Sequence, residues 1–184
     1  MIYFHDGSAE ATVQARQSPS ANEATKMVLQ TFRSAALAAA LLLTASQGFA
    51  QTANTETVKL FYQAFSQNQP ELLDGVLAEN WEDVPPNEGQ EIGRDAFKPF
   101  VTGFHQIFSD LTIVNDAIID AGETVVVRST ISGTQAGTFA GFESKGKPFS
   151  VMAIDIHQFK DGMVVKTWHV ESWLGGLFQM GAFE

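Results

Sequence analysis

The sequence predicts an α+β fold. Ahead of residue 110, apolar side chains recur at helical spacing in three stretches; from Leu111 onward the period drops to two. Helices first and strands last is the α+β order, without the strand–helix alternation of parallel βαβ units. Ala121-Gly122 and Lys160-Asp161-Gly162 are turn signals that divide the strand region into antiparallel hairpins. No internal repeat is present.

The chain of 184 residues is long enough for one domain and a tail. It has no Cys, which excludes a disulfide framework and thiolate metal sites. A net charge of −10 argues against nucleic-acid binding through a phosphate-neutralising patch and against anchoring to an anionic membrane. Fifteen Phe and three Trp point to an aromatic core or an apolar pocket.

Residues 27–50 have the plan of a secretory signal. Arg33 precedes the apolar run Ala35 to Ala45, and Gly48-Phe49-Ala50 places small residues at −3 and −1. Eleven helical residues span about 16 Å, short of a bilayer core of about 30 Å. Export to the periplasm or medium is therefore expected, with cleavage near Ala50-Gln51 and no membrane association afterwards. Met27 is then a plausible start, and residues 1–26 read as a disordered or mis-called extension. The domain, residues 51–184, carries 8 Lys/Arg against 18 Asp/Glu, the whole of the net charge.

Within that domain, Asn54 or Thr55 caps a first helix to about Ser66, with Val58, Phe61, Tyr62 and Phe65 on one stripe. Pro70 suits the first position of a second helix through Leu72, Leu73, Val76 and Leu77. Glu79 to Gln90 reads as a loop from its Pro, Gly and Asn, with Trp81 and Asp83 either covering a core edge or rimming a pocket. Arg94 to Phe108 is the longest helix, striped by Phe97, Phe100, Val101, Phe104 and Phe108. His105 falls off that stripe and is expected at the surface. Two strands, Leu111–Asp120 and Thr124–Thr134, precede a long Gly-rich connection to residue 147 that lacks the Gly-Lys-Ser/Thr of a phosphate loop. Ser172 is expected to cap a last short helix.

The organising stretch is the hairpin from Val151 to Trp173. A three-residue loop at Lys160-Asp161-Gly162 would pair Phe159 with Met163, Asp155 with Thr167 and Ala153 with His169. Side chains alternate along strands, so Val151, Ala153, Asp155, His157, Val165, Thr167, His169 and Glu171 share one face. Asp155 and His169 become diagonal neighbours, the parts of an acid/base site. The same pattern also fits a charged face turned to water.

The pieces LFYQAF, GRDAFKPFV, FSDLTI, AGETVVVRSTISGTQAGTFAGF, KGKPFSVMAIDIHQFKDGMVVKTWHVE and WLGGLFQMG occur in an order and spacing that resembles the SnoaL-like polyketide (ester) cyclases of the nuclear transport factor 2-like superfamily. The likeness runs from about Glu56 to Gly181. It implies a cone: three N-terminal helices packed on a curved antiparallel sheet around a largely apolar pocket. It also implies intramolecular aldol ring closure without metal or cofactor. The family's acid/base carboxylate lies seven residues after the hairpin Gly and its His seven before. Here those positions hold His169 and Asp155, so the pair is exchanged. Asp83 and Trp81 match the polar and aromatic positions of the loop after the second helix.

Three functions compete at this point. The first is a cofactor-free cyclase, isomerase or lyase acting on a small apolar carbonyl compound, with His169 as base, Asp155 orienting it, and Asp83, Trp81, His157, Phe100 and Phe104 as substrate contacts. The second is an exported small-ligand-binding domain without turnover. The third is a metal site of Asp155, His157, His169 and Glu171, which neither the spacing nor the family supports. The partner expected is a small apolar molecule, with no nucleic acid; a homodimer remains open.

Overall fold

This computed structural model describes residues 53–184, together with Asn22 and Lys26. The extension and signal segment expected over residues 1–50 otherwise lie outside the described residues. Helix α1 occupies residues 53–66 and buries Val58, Phe61, Tyr62, Ala64 and Phe65, the stripe its sequence carries. Asn54 and Thr55 do not cap it. They sit in its first turn and bond the Gly122 carbonyl (2.8 Å) and the Asp120 carboxylate (3.1 Å), tying the helix start to a strand turn.

A 3₁₀ helix, Pro70–Gly75, stands where a longer helix is expected. Val76 ends it, and Leu77 opens a strand. That strand, β1 (Leu77–Val84), replaces the expected loop. It pairs in parallel with β5 (Met163–Glu171), aligning Asp83 with Thr167 and Val84 with Trp168. Leu77 and Trp81 are buried, and a Lys166–Glu82 ion pair of 2.6 Å bridges the two strands. The sheet is thus mixed at this edge, because the partner of β1 arrives from the far end of the chain.

Helix α2, Arg94–Ile107, starts after Gly93, whose φ is 110°. A Cβ there would lie 2.8 Å from the Glu79 carbonyl oxygen, so glycine lets the helix start press against β1. His105 is half-buried with its Nε2 on the Phe65 carbonyl, which corrects the expected surface position. Phe108 leaves the helix and opens β2, Phe108–Asp120. Strands β3 (Thr124–Gln135) and β4 (Pro148–Lys160) follow. The spatial order is β1-β5-β4-β3-β2. Helix α3, Trp173–Gln179, closes the domain; the Ser172 carbonyl accepts from the Gly176 N–H at 3.2 Å, and its hydroxyl makes no capping bond.

The central hairpin corrects the expected register. Asp161 (φ 51°) and Gly162 (φ 79°) both lie in the left-handed region, so the turn has two residues and Lys160 pairs with Met163. A bulge between Gln158 and Phe159 then shifts the pairing once more. Asp155 stands directly opposite His169, and Ala153 opposite Glu171. Two one-residue shifts restore parity, so Asp155, His157, Thr167, His169 and Glu171 still share a face. Val165 leaves it, and Val164 is the buried neighbour of Phe159.

Two apolar clusters cover the inner face of the sheet. One packs α1, α2, Leu73, Leu77 and Trp81 on Val125, Val127, Phe159 and Val164. The other packs Phe108, Leu111, Ile131, Phe149, Val151, Ala153 and Met180, with Trp173 and Leu177 against them. Among the described residues no helix is long and apolar enough to cross a membrane.

Candidate active site

On the inner face, at the border of the second cluster, the side chains are small or polar: Ser129 on β3, Ala153 and Asp155 on β4, His169 and Glu171 on β5. Small and polar side chains leave space beneath the bulky helix residues. A cavity of about 100 Å³ results, roofed by Phe61, Phe65, Phe97, Phe100 and Phe104 and closed by Trp173. An outer recess of about 420 Å³ shares Asn87, Phe100, Phe104 and Trp173 with it and is walled further by Ile107 and Phe139.

Four ionisable groups meet at the polar end of this cavity. His169 bonds Glu171 through Nδ1 (2.9 Å) and the Pro85 carbonyl through Nε2 (2.9 Å), with Asp83 Oδ1 at 3.3 Å from the same Nε2. A carbonyl only accepts, so Nε2 carries hydrogen, and the Glu171 carboxyl hydrogen-bonded to Nδ1 favours hydrogen there too. His169 is held as imidazolium. Its pKa agrees: the Glu171 hydrogen bond, opposed by burial and helped by the charges of Glu171 and Asp83, raises it to about 9.

Asp155 is 6% exposed, and its Oδ2 accepts from the Tyr62 hydroxyl at 2.9 Å. Burial pushes its carboxyl up to about 7; the Tyr62 bond and His169 pull it down, while Glu171 and Asp83 push it up. Burial likewise raises Asp83 above the usual carboxylate range, against the pull of His169. Asp83 Oδ2 and Ser129 Oγ are buried on the cavity wall without a hydrogen-bond partner among the described residues. Such atoms are where a ligand's polar groups would be received.

Of the residues singled out from the sequence, His169, Asp155, Asp83, Phe100 and Phe104 line the cavity. Trp81 and His157 do not. Trp81 is 1% exposed, stacks obliquely on Phe97 at 4.7 Å and donates its Nε1–H to Thr167 Oγ1 at 3.0 Å. His157 is fully buried behind the wall, between Thr167 (Nδ1, 3.0 Å) and Tyr62 (Nε2, 2.9 Å). Burial first, then the charge of His169, lowers its pKa to about 3, so it is neutral. With His157 turned away, the four-residue metal set does not converge; no group of three or more such side chains is placed to hold a metal ion among the described residues. Tyr62 was missed as a site residue. Its sign in the sequence was a single hydroxyl on an otherwise apolar helical stripe, which needs a partner once buried.

These shifts predict an asymmetric pH dependence of stability. Asp155 binds its proton more tightly folded than unfolded, so its contribution falls as pH rises from 3.8 to about 7. His157 is neutral when folded, so its contribution rises with pH from about 3 to 6.5. The two oppose each other between pH 4 and 6.5 and leave a plateau. His169 stabilises fully below 6.5 and is lost as pH climbs to about 9. Thermal melts should therefore show the melting temperature dropping most steeply just above pH 6.5 and continuing to fall towards 9. The fall from 7 to 9 should flatten in His169→Gln. A melting temperature that rises over that interval would contradict the imidazolium assignment.

The chain matches the family model for the SnoaL-like polyketide cyclase over residues 56–180. Among solved structures it is similar to TsrD from Streptomyces laurentii, at 28% identity and a TM-score of 0.67 over 72% of this chain and 97% of that one. It is also similar to a protein from Bacillus cereus ATCC 10987 assigned to the polyketide cyclases, with 24% identity and a TM-score of 0.63 over 72% and 83% of the two chains. IdmH from Streptomyces antibioticus gives 23% identity and a TM-score of 0.61 over 70% and 98%. No curated protein sequence matches. The curved sheet with its helices on one face and a family match across nearly the whole domain agree: the chain belongs to the SnoaL-like polyketide cyclase family, with its nuclear transport factor 2-like α+β fold.

Proposed function

We propose that the cavity carries out cofactor-free acid/base chemistry on a small apolar carbonyl compound. Asp155 is the proton-transferring group, and the His169 imidazolium stabilises the negative charge that develops. The sequence reading gave the base role to His169. Both of its ring nitrogens donate to acceptors that cannot donate back, which favours exchanging the two roles.

The observation that carries the proposal is the setting of Asp155. One carboxylate oxygen is held by Tyr62, the residue lines an apolar cavity, and its pKa of about 7 suits proton transfer in either direction near neutral pH. In the forward step Asp155 takes a proton from carbon next to a carbonyl. The C–H electron pair forms an enolate, whose oxygen takes the charge. The enolate carbon then attacks a second carbonyl of the same molecule and closes a ring. The resulting alkoxide recovers the proton from Asp155, so atoms and charge balance with no further reagent.

The test is proton exchange. Wild-type protein incubated in D₂O with a series of aryl ketones and open-chain keto esters should exchange the hydrogens next to the carbonyl faster than buffer, followed by NMR. Exchange at the buffer rate for every compound that binds would leave a small-ligand-binding domain instead. The export expected from residues 27–50 would place this chemistry outside the cytoplasm; N-terminal sequencing of mature protein should begin near Gln51, and an intact Met1 in fractionated cells would refute it.

A further inference from the structure

A chain of buried polar groups runs along the cavity wall and behind it: Asp155, Tyr62 and Thr167 line the cavity, and His157 and Trp81 lie behind them. Trp81 Nε1 is 3.0 Å from Thr167 Oγ1, Thr167 Oγ1 is 3.0 Å from His157 Nδ1, His157 Nε2 is 2.9 Å from the Tyr62 hydroxyl, and that hydroxyl is 2.9 Å from Asp155 Oδ2. Its five members come from β1, β5, β4 and α1, and every one is buried.

The chemistry of the two ends fixes the direction. An indole N–H can only donate, so Thr167 accepts from Trp81. A carboxylate can only accept, so Tyr62 donates to Asp155. The Tyr62 hydroxyl has one hydrogen, so its oxygen must accept from His157, which places hydrogen on Nε2. A neutral imidazole carries one N–H, so Nδ1 accepts from the Thr167 hydroxyl. Every donor along the line then points towards Asp155.

We propose that Trp81, Thr167, His157 and Tyr62 form a one-way hydrogen-bond relay that holds the Asp155 carboxylate from behind, making Tyr62 and His157 positioning residues for proton transfer at the cavity wall. The inference rests on the reading of Asp155 as the proton-transferring group. The relay presents Oδ2 with a polarised donor, leaves Oδ1 for substrate and favours the ionised form. The other ionisable groups facing Asp155 are His169 and Glu171 from β5 and Asp83 from β1. Neighbouring β3 contributes Val127 and Ser129, and α2 contributes Phe97, Phe100 and Phe104, none of which titrates.

The first two readings of the relay, a tautomer and a carboxyl titration, need no substrate. In protein labelled with ¹⁵N histidine at pH 8.5, His157 should be the tautomer with hydrogen on Nε2 and a bare, hydrogen-bonded Nδ1. It should not titrate between pH 5 and 8.5. In Tyr62→Phe, the ¹³C titration of the Asp155 carboxyl should move up by about one unit, since a hydrogen bond to the charged form is lost. Proton exchange by that variant should then fall about fivefold at pH 7 and recover by pH 9. A merely structural role would depress the rate equally at all pH values. If Tyr62→Phe fails to fold, Thr167→Val serves in its place: Nδ1 of His157 should lose its hydrogen-bonded shift, and Thr167→Ser should restore it. Hydrogen on Nδ1 at pH 8.5, or an Asp155 titration unmoved in Tyr62→Phe, would overturn the relay. Absence of exchange in the wild type with the tautomer as stated would instead refute the proposed chemistry and leave the relay standing.

Discussion

Asp155→Asn is expected to slow proton exchange in the cavity by about 10²–10⁴-fold, the usual worth of a positioned acid/base group. Asn keeps the size of the side chain and an oxygen to accept from Tyr62, so the cavity and the relay behind it persist. It cannot take a proton from carbon. His169→Gln should cost less, because it removes a stabilising charge and leaves the base in place. The double variant should be little slower than Asp155→Asn alone, since groups acting as a unit cannot be lost twice. Stability offers a second reading of the same variant. Wild-type protein must ionise a buried carboxyl as pH rises to about 7, and the neutral amide does not, so Asp155→Asn should gain stability between pH 4 and 6.5, where the wild type stays level. An Asp155→Asn protein that exchanges at the wild-type rate, with its fold intact by circular dichroism, would remove Asp155 from the mechanism.

Trp81→Ala is expected to cost about 3–5 kcal/mol in urea denaturation, the range for emptying a large aromatic site in a core. That is a large share of the 5–15 kcal/mol typical of a domain's net stability. The reason lies in its position. The indole is 1% exposed, packs on Phe97, and fills the space between β1 and the start of α2, where the main chain of the same residue accepts from Gly93 N–H. Trp81→Phe should cost less, about 1–3 kcal/mol, because the ring still fills the space and only the buried hydrogen bond to Thr167 is lost. A loss below about 1 kcal/mol in Trp81→Ala would return Trp81 to the rim of the pocket.

The two variants probe different kinds of information. Asp155 was found by counting. Strand alternation carried it, with His169 and Glu171, to one face, and that face survived because the one-residue shifts in the turn and at the bulge add to two. Trp81 was misplaced because nothing near it in the chain marks β1 as a strand. Its run, Leu-Ala-Glu-Asn-Trp-Glu-Asp-Val, lacks alternation and has a single β-branched residue, Val84, and its hydrogen-bonding partner is a strand about eighty residues away.

The sequence by itself determined the apolar stripes of α1 and α2, the hairpins β2–β3 and β4–β5, and the face shared by Asp155 and His169. These follow from periodicity and turn chemistry, which act over a few residues. Only the tertiary structure decided the charge state of His169, because its partners Pro85 and Asp83 lie on the other side of the parallel β1–β5 pairing. It alone decided that His157 is turned from the cavity and that Tyr62 reaches Asp155 across 93 residues of chain. Local patterns say which way a side chain points; what it meets there depends on desolvation and on partners that arrive from distant parts of the chain, and these set the protonation states at the cavity wall.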